Sequence, residues 1–236
     1  MDKHTLKLQT NLSRLGFQPG RLDGLFGNKT LAALNHWQKQ YELPTSDEVR
    51  PEDHTAVEEA LAERRQNVIP LGTYQFSEVF PRAKAEYRSH LNQALTEGCM
   101  TGDRALMFLA QLGHESAGLR YMEEIASGAA YEGRLDLGNT QVNDGTRFKG
   151  RGPIQLTGRA NYRRFGDLLN IPLESIPTIA ARPNVGFRVA VMYWTDRGLT
   201  AWADAGYFRR ITREINGGYN GMDDRNRWLH RIRTIL

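Results

Sequence analysis

The stretch GHESAGLRYMEE, residues 113–124, carries Glu115 behind a histidine and closes on Glu123 and Glu124. Two carboxyls facing one another across a cleft can hydrolyse a glycosidic bond. One protonates the leaving oxygen while the other activates water or attacks the sugar. Their separation selects the stereochemistry: about 5–5.5 Å favours retention, and about 6.5–9.5 Å leaves room for a water and favours inversion. On one unbroken helix Glu115 and Glu124 would stand about 13–14 Å apart on opposite faces, too far for shared chemistry. Gly118 lies between them, and glycine ends helices in the left-handed conformation. A break there would let the chain fold back and present Glu124 opposite Glu115. Glu115 would then fall in the last helical turn, where the dipole and apolar burial both raise a carboxyl's pKa toward that of a general acid. Glu124, among loops, is expected to be wetter and ionised. Glu123 is expected to face solvent, and Glu132 in AYEGR is the alternative base.

Those residues need helices to hold them. DRALMFLAQLGHESAG is an amphipathic pattern with Asp103 as its expected N-cap. PNVGFRVAVMYWTDRG and DDRNRWLHRIRTIL read as two more helices, and the Gly- and Asn-rich segment 131–158 between these patterns reads as loops with room for a short hairpin. A long irregular stretch inside a compact domain is more often functional than idle. Upstream, Leu6, Leu8, Leu12 and Leu15 follow helical spacing up to Gly16, a C-cap residue. FQPGRLDGLFGNKT reads as a structured turn; Leu31, Leu34, Trp37, Gln38 and Tyr41 share a face of a second helix, and Pro51 opens a third. The expected fold is mainly α. A small three-helix domain spans residues 1–66, a linker 67–76, and a larger helical domain with a loop-rich cleft 77–236.

Composition bounds the function. The chain has 236 residues, 40% hydrophobic and 25% charged, which describes a globular protein with material for a core. Mean hydropathy is −0.56, and no apolar run approaches the roughly 18 residues that a membrane span needs. MDKHTLKLQT lacks the apolar core of a secretory signal. A lone Cys99 excludes an internal disulfide, suits a reducing cytoplasm, and is expected to be buried. The net charge of +4 favours anionic partners such as an anionic cell wall. Arginine is spread through the second half with only short doublets, so nucleic acid is not expected as a partner. The six histidines, His4, His36, His54, His90, His114 and His230, lack ligand spacing, so no metal and no cofactor is expected.

Two resemblances sharpen this. LQTNLSRLGFQPGRLDGLFGNKTLAALNHWQKQYEL resembles the peptidoglycan-binding module found at the ends of wall hydrolases. The matching positions are Leu8-Gln9, Gly16-Phe17, Asp23-Gly24, Phe26-Gly27, Thr30 and Trp37-Gln38. It makes Asp23, Phe26 and Trp37 the wall-binding candidates, with Asp23, Gly24 and Gly27 equally able to serve only the turn. HESAGLRYMEEI, GRGPIQLTGRANY and REINGGYNGMDDR resemble, in order, three signature blocks of family 19 glycoside hydrolases, which hold chitinases and peptidoglycan-cleaving phage endolysins in a lysozyme-like fold. This resemblance implies Glu115 as general acid, Glu124 as general base and Thr157 as the hydroxyl that holds the attacking water, in a single displacement with inversion. Gln155, Asn161 and Tyr162 would line sugar sites, Tyr162 being equally a core residue. Asn216 would bond an N-acetyl group or the base, Gly217 and Gly218 would admit sugar to the backbone, and Arg225 would pair with acidic site residues. His114 is expected to be structural. Asn220 stands where plant chitinases carry a glutamate, which argues for peptidoglycan over chitin.

The resulting expectation is a monomeric bacteriophage endolysin. It would cut the β-1,4 glycan of peptidoglycan, wait in the host cytoplasm until the membrane is breached, and not itself insert into the membrane. A chitinase and a non-catalytic wall-binding protein are the alternatives. A zinc amidase lacks its ligands, and a lytic transglycosylase would need only one glutamate. Which of the two glycosidic linkages is cut is not encoded in any of these motifs.

Overall fold

The computed structural model describes residues 2–236 as helices joined by loops, with no β-strand among the described residues. Two isolated antiparallel bridges, Glu123 to Arg151 and Arg151 to Leu156, stand where a short hairpin was allowed. The chain forms two compact units. One comprises residues 1–69, 95–107 and 194–220; the other comprises 70–94, 108–193 and 221–236.

In the first unit, α1 (Lys3–Leu15), α2 (Asn28–Gln40) and α3 (Pro51–Gln66) form the three-helix arrangement. Asp2 caps α1 by accepting from the backbone of His4 and Thr5. Gly16 ends it at φ 102°, its N–H donating to Leu12 and Ser13 carbonyls. Pro51 opens α3, and Asp53 closes a capping box by accepting from Arg50 N at 2.9 Å. Leu12, Leu34, Trp37 and Val57 are at most 1% exposed and form one core with Leu8, Leu15, Phe17, Leu61 and Cys99. Full burial of each large side chain contributes roughly 1.5–3 kcal/mol. Cys99 is buried as expected, and burial pushes its thiol pKa up.

Further pieces complete this unit. α10 (Leu199–Asp204) packs on α1 and on α11 (Phe208–Asn216), and Ser13 Oγ donates to the Thr195 carbonyl. Arg104, 5% exposed, donates to the Arg14 and Leu15 carbonyls, the acceptor-rich end of α1, and pairs with Asp204. A cation at a helix C-terminus satisfies both the dipole and its orphan carbonyls.

The second unit holds α4 (Thr73–Val79), most of α5 (Tyr87–Glu97) and most of α6 (Asp103–Glu115). After α6 come the short α7 (Asp144–Arg147) and α8 (Arg159–Leu169), then most of α9 (Pro183–Asp196), and α12 (Met222–Ile235). Residues 67–72 are unwound between α3 and α4, with Val68 and Leu71 buried. Asp103 is the first helical residue of α6 rather than its N-cap, a one-residue shift that still places an acid in the first turn.

Candidate active site

The helix carrying Glu115 stops at that residue, where the break was expected. Glu115 is the last residue of α6, and Ala117, Gly118 and Leu119 follow at φ 51°, 75° and 60°. Glycine makes the middle position inexpensive, whereas the two flanking residues adopt a conformation that ordinary side chains resist. Ser116 supports the bend: its hydroxyl donates to the Leu112 carbonyl at 2.6 Å and accepts from Leu119 N at 2.8 Å. Trp228 of α12 covers the bend. A Cβ at Gly113 would come within 2.5 Å of its ring, and one at Gly118 within 3.0 Å. Gly118 therefore serves both conformation and clearance.

α12 supplies the rest of the frame. Arg225, 1% exposed, donates to Glu115 Oε1 and to Gln111 of α6. The apolar surroundings expected for Glu115 are replaced here by a buried guanidinium, and one carboxylate oxygen is fixed by it. His114 Nδ1 lies 2.8 Å from Asp224 Oδ2. Burial raises the Asp224 pKa, but hydrogen bonds from His114 and Arg227 outweigh it and leave the pKa below the usual value. His114 thus ties α6 to α12.

Glu124 is dressed differently. Its Oε1 accepts from the Tyr131 hydroxyl at 3.0 Å and its Oε2 from Gly150 N at 3.0 Å, while its own N–H donates to the Gly150 carbonyl at 2.9 Å. Both donors are neutral, and each carboxylate oxygen has a second lone pair with which to accept from water. Burial, reinforced by Glu124, raises the Tyr131 phenol pKa, so Tyr131 is a donor across the ordinary pH range. Gln155 belongs to the same cluster. A Cβ at Gly150 would meet Gln155 Oε1 at 2.8 Å and Glu124 Oε2 at 3.2 Å. Gln155 is held at φ 54° with its amide donating to the Gly152 carbonyl. Thr157, half-buried, donates to the Gln155 carbonyl at 2.9 Å, and Asn161 donates to the Thr157 carbonyl at 2.8 Å. Glu124, Gln155, Thr157 and Asn161 therefore form one linked loop system.

Several sequence expectations change. Tyr162 is fully buried, donates to the Lys149 carbonyl and accepts from Arg151; burial pushes its pKa up to about 12. It is a core residue. Glu132 accepts from Asn143 N and Gly145 N at 2.7 and 2.8 Å, so its carboxylate secures the start of α7 and is not disposed as a base. Glu123 is exposed, as expected, and also pairs with Arg151 at 3.1 Å and Lys149 at 3.3 Å. Asn216 ends α11 in the first unit, followed by Gly217, and both are exposed along with Asn220. Tyr131 carries no signal of its own in the sequence because its partner is fixed by loop geometry; its place in AYEGR, next to Glu132, was the one hint.

The wall-binding candidates also separate. Trp37 is 1% exposed in the core of the first unit and holds the helices together, so it does not face a ligand. Gln9, equally buried, organises the turn. It donates to Asp23 Oδ1, the Leu25 carbonyl and Thr30 Oγ1, and accepts from Asp23 N and Gly24 N. Gln38 donates to Asp53 at 2.8 Å. Asp23 lines an open cavity of about 380 Å³ with Arg21, Asn28 and Lys29, while Phe26 is 40% and Leu25 69% exposed beside it. The Leu25 N–H holds the Asp23 carboxyl below the usual pKa.

No group of His, Cys, Asp and Glu able to hold a metal occurs among the described residues, and no helix there is long and apolar enough to cross a membrane.

Residues 4–48 match a peptidoglycan binding domain, and residues 80–201 match the chitinase class I family, glycoside hydrolase family 19. A Haemophilus influenzae glycosyl hydrolase family 19 domain-containing protein is 31% identical over 182 residues, 64% of this chain and 89% of that protein. An Arabidopsis thaliana endochitinase is 40% identical over 111 residues, 47% of this chain and 38% of that protein, so the chain spans well under half of the plant enzyme. The structure of chitinase C from Streptomyces griseus superposes with a TM-score of 0.58 at 27% identity, covering 70% of this chain and 75% of that one. A chain whose helix-break carboxyl and loop carboxyl both fall inside the family match, with that match spanning just over half its length, belongs to glycoside hydrolase family 19 and is a glycoside hydrolase that also carries a peptidoglycan-binding domain.

Proposed function

We propose that the protein hydrolyses the β-1,4 glycan of bacterial peptidoglycan by an inverting acid/base mechanism. Glu115 is the general acid. Arg225 fixes its rotamer through Oε1, so that Oε2 is the oxygen that carries the proton to the leaving group. Glu124 is the general base: Tyr131 and Gly150 orient both oxygens, and one of them takes a proton from the attacking water. The Thr157 hydroxyl positions that water, and Gln155, Asn161 and Arg225 complete the sugar and carboxylate contacts within the second unit, while Asn216 of the first unit keeps only the sugar role that the family resemblance gives it. The observation that carries this reading is the break at Ala117–Leu119, which ends α6 at Glu115 and sets Glu124 on the loops that follow, each carboxylate held in place by its own donors.

Residues 1–66 serve as the wall anchor through the Asp23 cavity and the exposed Leu25-Phe26 tip, the later residues as the hydrolase, and 67–72 as their connection, shorter than the expected 67–76 because α4 begins at Thr73. We read the combination as a monomeric bacteriophage endolysin that accumulates in the host cytoplasm and acts once the membrane is breached. Chitin is the second reading, favoured by the family's chitinase description and the plant relatives. Zymograms on purified sacculi and on glycol chitin test the choice. Glu115→Gln and Glu124→Gln should each abolish clearing of sacculi while retaining the wild-type melting temperature. Clearing of chitin alone contradicts the peptidoglycan reading, and full activity of Glu124→Gln contradicts its role as base. Expression with and without a membrane-permeabilising agent tests the lysis role, with lysis expected only in its presence.

A further inference from the structure

The exposed face of α11 bears a basic and aromatic surface that the hydrolytic mechanism does not use. Between residues 207 and 220 the sequence has three arginines, Arg209, Arg210 and Arg213, against one acid, Glu214. The helix segregates them: Phe208, Ile211 and Thr212 are buried, whereas all three arginines are exposed. Arg210 pairs with Glu214 at 2.8 Å and lies over the Trp202 ring at 5.2 Å. Arg209 lies 4.3 Å above the Tyr219 ring, and Tyr207 is 57% exposed beside Trp202, their ring centroids 6.1 Å apart. Arg209 foremost, and Arg213 with it, holds the Tyr219 phenol below its ordinary pKa, a local mark of positive potential. Guanidinium planes docked on rings, as those of Arg209 and Arg210 are, lose less freedom when they bind a planar anion.

We infer that this face recognises the carboxylates of peptidoglycan stem peptides and so selects peptide-bearing glycan over neutral glycan. The inference rests on the peptidoglycan reading above. Its warrant is charge complementarity. Stem peptides present several carboxylates, which arginine binds bidentately, whereas N-acetylglucosamine polymers present none. Asn216-Gly217-Gly218, which the family resemblance assigns to sugar, continue the same segment of the first unit.

The test compares the full chain with Arg209→Glu/Arg213→Glu and with the charge-keeping Arg209→Lys/Arg213→Lys. Cosedimentation and cleavage are measured on intact sacculi and on the same sacculi stripped of peptides by an amidase. The ratio of sacculus to stripped-strand binding, and of kcat/KM, should fall about fivefold to tenfold in the charge-reversed variant and be largely retained in the lysine variant. Rising NaCl should lower the wild-type ratio and leave the reversed variant's ratio flat. Equal losses on both substrates, no loss on either, or arginine-dependent binding that is stronger to anionic phospholipid vesicles than to sacculi would each overturn the inference. If wild type cleaves neither substrate, the hydrolytic reading fails, yet the binding ratio still decides this one.

Discussion

Two irregular regions of this molecule solve the same problem in different ways. The turn between α1 and α2 is held chiefly by one neutral side chain, Gln9, projecting from a helix and bonding to the backbone at Asp23, Gly24 and Leu25, with Asp23 and Thr30 adding one bond each to the Leu25 N–H and the Pro19 carbonyl. The long segment after α6 is held mainly by charged side chains, Asp144 and Glu132 within it and Arg159 at the start of α8, with one amide, Asn139. Asp144 accepts from Thr140 N, Gln141 N and Arg159, Glu132 accepts from Asn143 N and Gly145 N, and Asn139 accepts from Arg159 N. Backbone groups without a ladder must find partners, and both regions meet that demand with side chains. The difference is what the braces leave available. In the first region the motif residues Gln9 and Thr30, and Gln38 on α2, serve structure, and Leu25 and Phe26 are left exposed beside them. In the second, the network presents Glu124, and its outermost brace, Tyr131, touches the candidate base itself.

Asp144 gives the sharpest way to break the second region. Its carboxylate is 1% exposed, and Arg159 beside it keeps it well below the usual carboxylate pKa. Asp144→Ala leaves the Arg159 cation without its main partner and should cost about 3–5 kcal/mol, read by urea unfolding. Gln9→Ala should cost the first region less, about 2–3 kcal/mol, because neutral N–H groups lose their acceptor. It should also weaken sacculus binding while leaving cleavage of soluble glycan strands near wild type. If Gln9→Ala proves the costlier of the two, the contrast between charged and neutral bracing fails.

Tyr131→Phe probes the brace nearest the chemistry. Loss of one hydrogen bond to the Glu124 carboxylate, worth about 1.5–3 kcal/mol, should lower kcat roughly tenfold to a hundredfold with KM and melting temperature nearly unchanged. A KM effect of that size with kcat intact would make Tyr131 a sugar contact instead. The smallest effect concerns Glu174, which Arg163, and Arg159 with it, hold at a pKa of about 2 against an ordinary 4.5. Its folded pKa is depressed, so its contribution to stability is present above pH 4.5 and is lost as pH falls from about 4.5 toward 2. Partial exposure keeps the contribution small. Melting curves across that window should show a slightly flatter decline for Glu174→Gln than for wild type.

What the sequence made legible follows from the range of each signal. Gly16, Pro51 and the break around Gly118 were readable because capping and left-handed turns are local. The mainly helical fold followed from periodicity. Arg225, 110 residues from Glu115, was reached only through the family pattern, since no periodicity links α12 to the end of α6. Trp37 looked available for binding because an aromatic on an amphipathic helix reads the same whether it meets core or ligand, and burial decides. Glu132 competed as base because spacing alone does not show that two backbone N–H groups already occupy its carboxylate. Tyr131 and Ser116 act through loop closure, which leaves no periodic trace.

Proton NMR of the reducing end released at early times from purified glycan strands addresses the mechanism most directly. A water activated by Glu124 while Glu115 protonates the leaving oxygen must deliver the α-anomer first, with the β-anomer growing in only by mutarotation. Initial release of the β-anomer, or of a 1,6-anhydro end with no reducing sugar, would contradict the assignment of Glu124 as the base.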